Sequence, residues 1–379
     1  MTSKKITLGL LAAGLISPGA LSPGLANAKA LLRDAPRCYL FPTIDDLIVK
    51  AELSGLALGK TVKVPITREY ALDSIGIRVT GTVTTAAATM NADAIFALVK
   101  RVTLTINGKN YINGVSGAAL VEFTAMFQGL DDQTNAVVGN NTTGAKEFTV
   151  WLWLGHPQLK DPIRPLLMPR PINEDGTLEI VLANQSDIDT NATPTYAATA
   201  GFTIEIILRR RPVDLALLGH PHIESELNEY DQPWAASGTR QFFELPALGS
   251  YTGVMLRNYT SASARGDISS AAGVISLELA NTIIRKNYPR HIAIINELSK
   301  GGGEAGKFLN SYFYDFLADT DEDVIEVSSL LDANPSATQG SRFRVFQDVT
   351  GGANVRTKFL THRLYGDLSR MKALAVAKV

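Results

Sequence analysis

"SIGIRVTGTVTTAAATMNADAIFALVKRVTLTINGKN" (residues 74–110) is the stretch on which the fold turns. Its two ends alternate. Ile75, Ile77 and Val79 take every second place in the first, and Val102, Leu104 and Ile106 do so in the second. Successive side chains of a strand point to opposite faces, so a period of two describes strands with one face in a core and the other in water. An Ala/Thr-rich loop and a short apolar segment separate the two. The same alternation, rich in Val, Ile, Thr and aromatic residues, recurs upstream at 60–68 and downstream at 147–155, 177–184 and 201–211.

Near residue 212 the pattern lapses. "RPVDLALLGHPHIESELNEYDQPWAASG" (211–238) alternates little and reads as a connector. Strand signals then resume at 239–247, 251–260, 273–281, 308–319, 341–350 and 356–366. Two segments differ. In 117–130 Leu120, Phe123, Thr124 and Phe127 recur at helical spacing, and in 288–303 Pro289 and a run of glycines frame a second short helix. Each half therefore has strands, an Ala/Gly-rich gap, a short helix near its middle, and further strands ending in a basic one. Paired elements lie roughly 155 to 180 residues apart. Many short strands with turn signals between them predict two tandem β-sandwiches, for which the eight-stranded jelly roll is one construction.

Composition narrows the function. The 379 residues are 45% hydrophobic, enough for a real core, and the net charge of −1 gives no sign of a nucleic-acid binder held by charge. Cys38 is the single cysteine and forms no internal disulfide. No apolar run reaches the roughly 20 residues that span a bilayer as a helix.

The first thirty residues, "MTSKKITLGLLAAGLISPGALSPGLANAKA", allow two readings. Lys4 and Lys5, an apolar stretch from Ile6 through Leu8, Leu10 and Leu11 to Ile16, and Ala26-Asn27-Ala28 form the three parts of a secretory signal. Retained instead, the apolar stretch with Lys4, Lys5, Lys29 and Arg33 is an arm suited to an anionic lipid surface or to a neighbouring subunit.

The chain resembles the double jelly-roll major capsid proteins of tailless, membrane-containing bacteriophages, a lineage that includes the adenovirus hexon. The likeness is carried by 74–110, by "EFTVWLWLGHPQLKDPIRPLLMPRP…TLEIVLANQSD" with its aromatic strand, proline-rich segment and strand ending in "LAN", and by the closing "FLTHRLYGDLSR". It spans residues 60–368. The resemblance implies an all-β fold of two tandem eight-stranded jelly rolls with short helices in loops. It implies a non-enzymatic subunit without cofactors, forming homotrimers of pseudo-hexagonal outline. These would tile an icosahedral shell with penton and minor capsid proteins around an internal lipid membrane, assembled in the host cytoplasm, without direct contact to nucleic acid. Under this reading the arm is retained beneath the shell. The expected divisions are an arm and lead-in (1–56), a first roll (57–212), a connector (213–238), a second roll (239–368) and a tail (369–379). The alternative is an exported two-domain β-sandwich adhesin or carbohydrate-binding protein. A cupin-like metalloenzyme ranks last, because His156 lies in one half and His291 and His362 in the other.

The remaining motifs read as ordinary loop chemistry. His220 and His222 flank Pro221, and with Glu224 or Glu226 they make an incomplete metal set. Arg265-Gly266-Asp267 reads as a solvated loop. Sequons at Asn140, Asn141, Asn184, Asn191 and Asn258 read as loop markers. "GGGEAGK" (301–307) is followed by Phe308 where a phosphate-binding loop needs Ser or Thr, and 319–326 lacks the glycine and spacing of a calcium loop. Trp151 and Trp153 share one face of their strand, and the core is the expected place for it.

Overall fold

The computed structural model describes residues 44–48, 53–66, 70–84, 93–106, 108–126, 144–154, 176–188, 197–198, 200–212, 224–246, 250–261, 264–268, 273–279, 282–287, 292, 310–316, 325–326 and 343–365. The first half carries β1 (Ile44–Ile48), β2 (Thr61–Ile66), β3 (Tyr70–Thr84), β4 (Val99–Ile106), β5 (Lys109–Val115), β6 (Gly144–Trp153), β7 (Gly176–Leu182), β8 (Ala197–Ala198) and β9 (Thr203–Pro212). Helix α1 (Gly117–Met126) follows β5, α2 (Gln185–Ile188) follows β7, and a 3-10 turn spans Ala94–Leu98. The second half carries β10 (Glu224–Pro233), β11 (Gly238–Leu245), β12 (Ser250–Tyr259), β13 (Ile275–Leu279), β14 (Thr282–Asn287), β15 (Ser311–Asp315), β16 (Ile325–Glu326), β17 (Phe343–Val349) and β18 (Arg356–Tyr365).

The sheets repeat one wiring diagram. In the first half one sheet runs β1-β9-β3-β6 and its partner runs β2-β7-β4-β5. In the second half the sheets run β10-β18-β12-β15 and β11-β17-β13-β14. Leaving aside the two-residue strands β8 and β16, each half has its first strand beside its last, then its third and sixth. Its second strand lies beside its seventh, then its fourth and fifth. That crossing order is the jelly roll, and it occurs twice. The strand register follows the sequence alternation: Ile75, Ile77 and Val79 of β3 and Ile204, Ile206 and Leu208 of β9 are buried in the first core, while Arg78, Glu147 and Glu205 meet on the outer face.

The two rolls share one sheet. β5, the edge of the first roll, pairs in parallel with β10 of the second through Ile112–Leu227 and Asn113–Asn228, giving a nine-stranded sheet. One side of that sheet faces the core of the first roll. The other side of its second-roll half faces the core built by Tyr251, Val254, Leu256, Phe343 and Phe359. Inside the second core a small polar knot is satisfied. Thr357 Oγ1 donates to Asn258 Oδ1 (2.8 Å) and accepts from Gln347 Nε2 (2.6 Å) and Trp234 Nε1 (2.9 Å).

Besides the two-residue β8 and β16, four strands lie where the sequence reads none: β5 and β14, each between an expected strand and an expected helix, and β1 and β10. β1 falls in the lead-in, because IDDLI carries two acids in a five-residue strand. β10 falls in the connector, because its face toward the first roll presents Glu229 beside Leu227 and so breaks the apolar alternation. The helix expected at 117–130 is present as α1. The one expected at 288–303 lies outside the described residues except for Ile292, which is buried in the second core. Trp151 is a correction. Val150 and Leu152 point inward, so Trp151 faces outward, its ring on Gly76 and the Arg209 guanidinium 5.1 Å from the ring centre.

Candidate functional site: the charged seam between the rolls

Helix α1 is the centre of the joint. Its residues Ala118 to Val121 and Phe123 to Ala125 are buried, although a helix beside a single sheet keeps one polar side. The second side is covered by the other roll. Leu227, Met255, Phe313, Leu360 and Leu364, which point away from the second core, join Leu120 and Phe123 in the first. Phe123 lies against His362, ring centres 5.5 Å apart, and Thr252 Oγ1 lies 2.5 Å from His362 Nδ1. The helix starts tightly. Leu120 N–H donates to the Ser116 carbonyl (3.0 Å), and a Cβ on Gly117 would stand 2.7 Å from the Phe96 carbonyl oxygen.

Around this apolar contact runs a buried charged network. From the first roll come Asp93, which precedes the 3-10 turn, Ser116 and Glu122. From the second come Glu229, Arg257, Tyr259, Arg265 and Ser311. Arg265 donates to Asp93 through Nε (2.7 Å) and Nη2 (2.5 Å), donates through Nη1 to Ser311 Oγ (3.0 Å), and pairs with Glu122. Ser311 Oγ donates to Glu122 Oε2 (2.5 Å), and the Tyr259 hydroxyl donates to Asp93 (3.0 Å). Arg257, whose side chain is wholly enclosed, pairs with Glu229 and donates to Ser116 Oγ (3.0 Å). Glu229 in turn accepts from the Ser116 backbone N–H (2.5 Å) and hydroxyl (3.0 Å). Every pair among these that crosses the seam binds one roll to the other.

The electrostatics hold Asp93 and Arg265 charged. Burial pushes the Asp93 carboxyl up, but Arg265, Arg257 and Lys358 outweigh it and keep it well below the usual carboxylate range. Burial opposes the charge on Arg265, and Glu122 and Asp93 more than restore it. Burial pushes the Tyr259 phenol far up, so it remains a donor. Buried ion pairs add little net stability but make loss of one partner costly, about 3–5 kcal/mol, because the other charge is stranded. Among these contacts, Arg265 with Asp93 and with Glu122, and Glu229 with Ser116, cross from one roll to the other. The network's two serine hydroxyls, Ser311 on Glu122 and Ser116 on Glu229, sit on carboxylates that arginines already hold, so the network joins one roll to the other.

This seam corrects the sequence reading at Arg265, expected in a solvated loop. Its side chain is 9% accessible and engaged by both acids, and of that tripeptide only Asp267 is exposed. Asn258 is likewise no loop marker; it is a 1% exposed strand residue hydrogen-bonded in the second core. A signal for the seam is present in the sequence: Glu122 and Arg257 are each a lone charge in an apolar run, "GAALVEFTAM" and "YTGVMLRNYT". Residues 1–43, with the arm residues Lys4, Lys5, Ile6, Leu8, Leu10, Leu11, Lys29 and Arg33, lie outside the described residues. So do His156, His220, His222 and 301–307; Glu226 pairs instead with Arg363 at 2.6 Å. Among the described residues no cluster of His, Cys, Asp or Glu is placed to hold a metal, and no helix is long and apolar enough to cross a membrane.

No family model and no curated relative matches the sequence. Solved structures do match by shape. The STIV MCP, from Sulfolobus Turreted Icosahedral Virus, superposes with a TM-score of 0.63 at 14% identity over 88% of this chain and 99% of its own. The major capsid protein of bacteriophage PM2 gives 0.53 at 11% identity over 86% and 98%. The PBCV-1 virus capsid gives 0.54 at 14% identity over 86% and 94%. Together with the twice-repeated strand order, these matches identify the fold of this chain as the double jelly roll of viral capsid proteins.

Proposed function

We propose that the protein is a major capsid protein of an icosahedral virus. The observation that carries this reading is the pairing of two identically wired rolls, side by side in one chain, through a dedicated seam. A single chain so built supplies two of the six quasi-equivalent positions of a hexagonal building block, and three copies supply all six. The function is mutual burial, with no catalytic step. The subunit forms a homotrimer, tiles the virion shell with penton and minor capsid proteins, and is assembled in the host cytoplasm. The coverage of whole viral capsid chains, almost end to end, supports this reading over a two-domain adhesin.

In the same reading the shell encloses a lipid membrane. The amino-terminal arm, with Lys4, Lys5, Lys29 and Arg33 around Ile6, Leu8, Leu10 and Leu11, lies at its surface or against a neighbouring subunit. Native mass spectrometry of the purified chain tests the core of the proposal. A species of three full-length 40.8 kDa chains that forms hexagonal particles by electron microscopy is the expected result. A monomer lacking its first 28 residues would overturn it in favour of an exported binding protein. An arm-deleted chain whose particles still enclose lipid normally would remove the membrane role alone.

A further inference from the structure

Within the chain, one edge joins the rolls: β5, the fifth strand of the first roll, pairs in parallel with β10, the first strand of the second. Because both rolls are wired alike, the same two kinds of edge occur once more. The fifth strand of the second roll is β14, and the first strand of the first roll is β1. Each stands at the end of its sheet among the described residues, β14 pairing with β13 and β1 with β9. An open strand edge is a row of unpaired backbone donors and acceptors, a template for another strand.

Charge and exposure agree with one particular occupant. In the internal joint the acids of β10 are held within their own roll, Glu226 by Arg363, Glu229 by Arg257 and Asp231 by Arg356, so that joint is made by the backbone and by apolar contact. The two free edges are opposite in charge. β1 reads Ile-Asp-Asp-Leu-Ile, and β14 ends in Arg285-Lys286-Asn287, with Lys286 exposed. Opposite charges across a strand pair are stabilising, whereas like charges directly opposite are not. β14 also carries Ile283, 43% exposed, one of two large apolar side chains left open among the described residues. The other, Phe242, sits on β11 against Phe346 with the Arg344 guanidinium 5.2 Å from its ring centre, so it is already partly covered by its own sheet.

We propose that β14 of one copy pairs in parallel with β1 of a second copy, repeating between subunits the joint that β5 and β10 make within one. The proposal rests on the capsid-subunit reading and specifies how its subunits meet. The joint is head to tail, because the two edges differ, so it closes only as a ring. Ile283 becomes buried at the contact, and the acidic positions 45 and 46 of β1 lie alongside the basic end of β14 in sequence register.

Cross-linking tests it. In a Cys38→Ser background, Asp45→Cys or Asp46→Cys is combined in one chain with Ile283→Cys or Arg285→Cys. Paired strands hold facing Cα atoms within disulfide reach. Mild oxidation of at least one combination should give a covalent trimer on a denaturing gel, with no product from either single cysteine. Independently, Ile283→Asp should raise the concentration at which trimers dissociate at least tenfold while leaving the circular dichroism spectrum of the subunit unchanged. Phe242→Ser should leave it unchanged. Trimers of normal mass that cross-link in no combination and tolerate Ile283→Asp would overturn the joint and leave the capsid reading standing. A wild-type chain that is monomeric at every concentration would overturn both.

Discussion

Replacing Arg265 by methionine keeps the aliphatic stem and removes the guanidinium, and the structure sets the scale of the loss. Arg265 is the counter-ion of two acids, Asp93 and Glu122, that come from the other roll, and it also satisfies Ser311. All of these lie in a nearly water-free seam. Stranding buried carboxylates in this way costs about 3–5 kcal/mol. The cost falls on the joint and not on either core. In urea the wild-type chain should therefore unfold in one transition, and Arg265→Met should separate it into two. Trp151 and Trp153 report on the first roll and Trp234 on the second, so variants retaining tryptophan in one roll assign each step by fluorescence. Arg240→Met is the matched control. Arg240 pairs with Glu278, but its side chain is 60% accessible, and such a pair contributes about 1 kcal/mol or less. If Arg265→Met costs no more than Arg240→Met and the transition stays single, the seam does not couple the rolls.

Three further outcomes are expected. Asp93 has a folded pKa below its unfolded one, so its contribution is complete above the unfolded carboxylate value of about 3.9 and is lost as pH falls further. The stability advantage of wild type over Asp93→Asn should thus be flat from pH 7 to about 5 and shrink in stronger acid, as urea titrations at each pH would show. Gly117→Ala should destabilise by about 1–3 kcal/mol despite alanine's better helix propensity, because the new methyl meets the Phe96 carbonyl at 2.7 Å and Val99 Cβ at 2.9 Å; calorimetry measures this, and a gain in stability would show that the start of α1 relaxes freely. Thr357→Val removes the hydroxyl shared by Asn258, Gln347 and Trp234 and should cost about 2–3 kcal/mol, since buried polar groups lose their partners. Thermal melts of Thr357→Val and Thr357→Ser separate this loss from a simple change of shape.

Several local features are legible in the sequence because they depend on local spacing. A period of two puts Ile75, Ile77 and Val79 on one face whatever lies beyond it, and so most strands of both rolls, the helical segment at 117–126 and the tandem repeat can be read along the chain. The seam cannot. Asp93, Glu229 and Arg265 each look like an ordinary loop or surface charge, and Glu122 and Arg257, lone charges in apolar runs, do not reveal their partners until the fold brings both rolls together. Arg265 reads as solvated because nothing within its own loop is acidic except Asp267; its partners arrive from the other half. β10 escapes notice for the same reason, its Glu229 serving Ser116 and Arg257 across the joint. Trp151 misleads because parity places it with Trp153 but does not say which parity is buried; the inward choice belongs to Val150 and Leu152. Local spacing settles most of the strands, the alternation along them and the doubling. The tertiary structure alone decided which charges are buried together, because desolvation and ion pairing act through space, between residues that the chain keeps far apart.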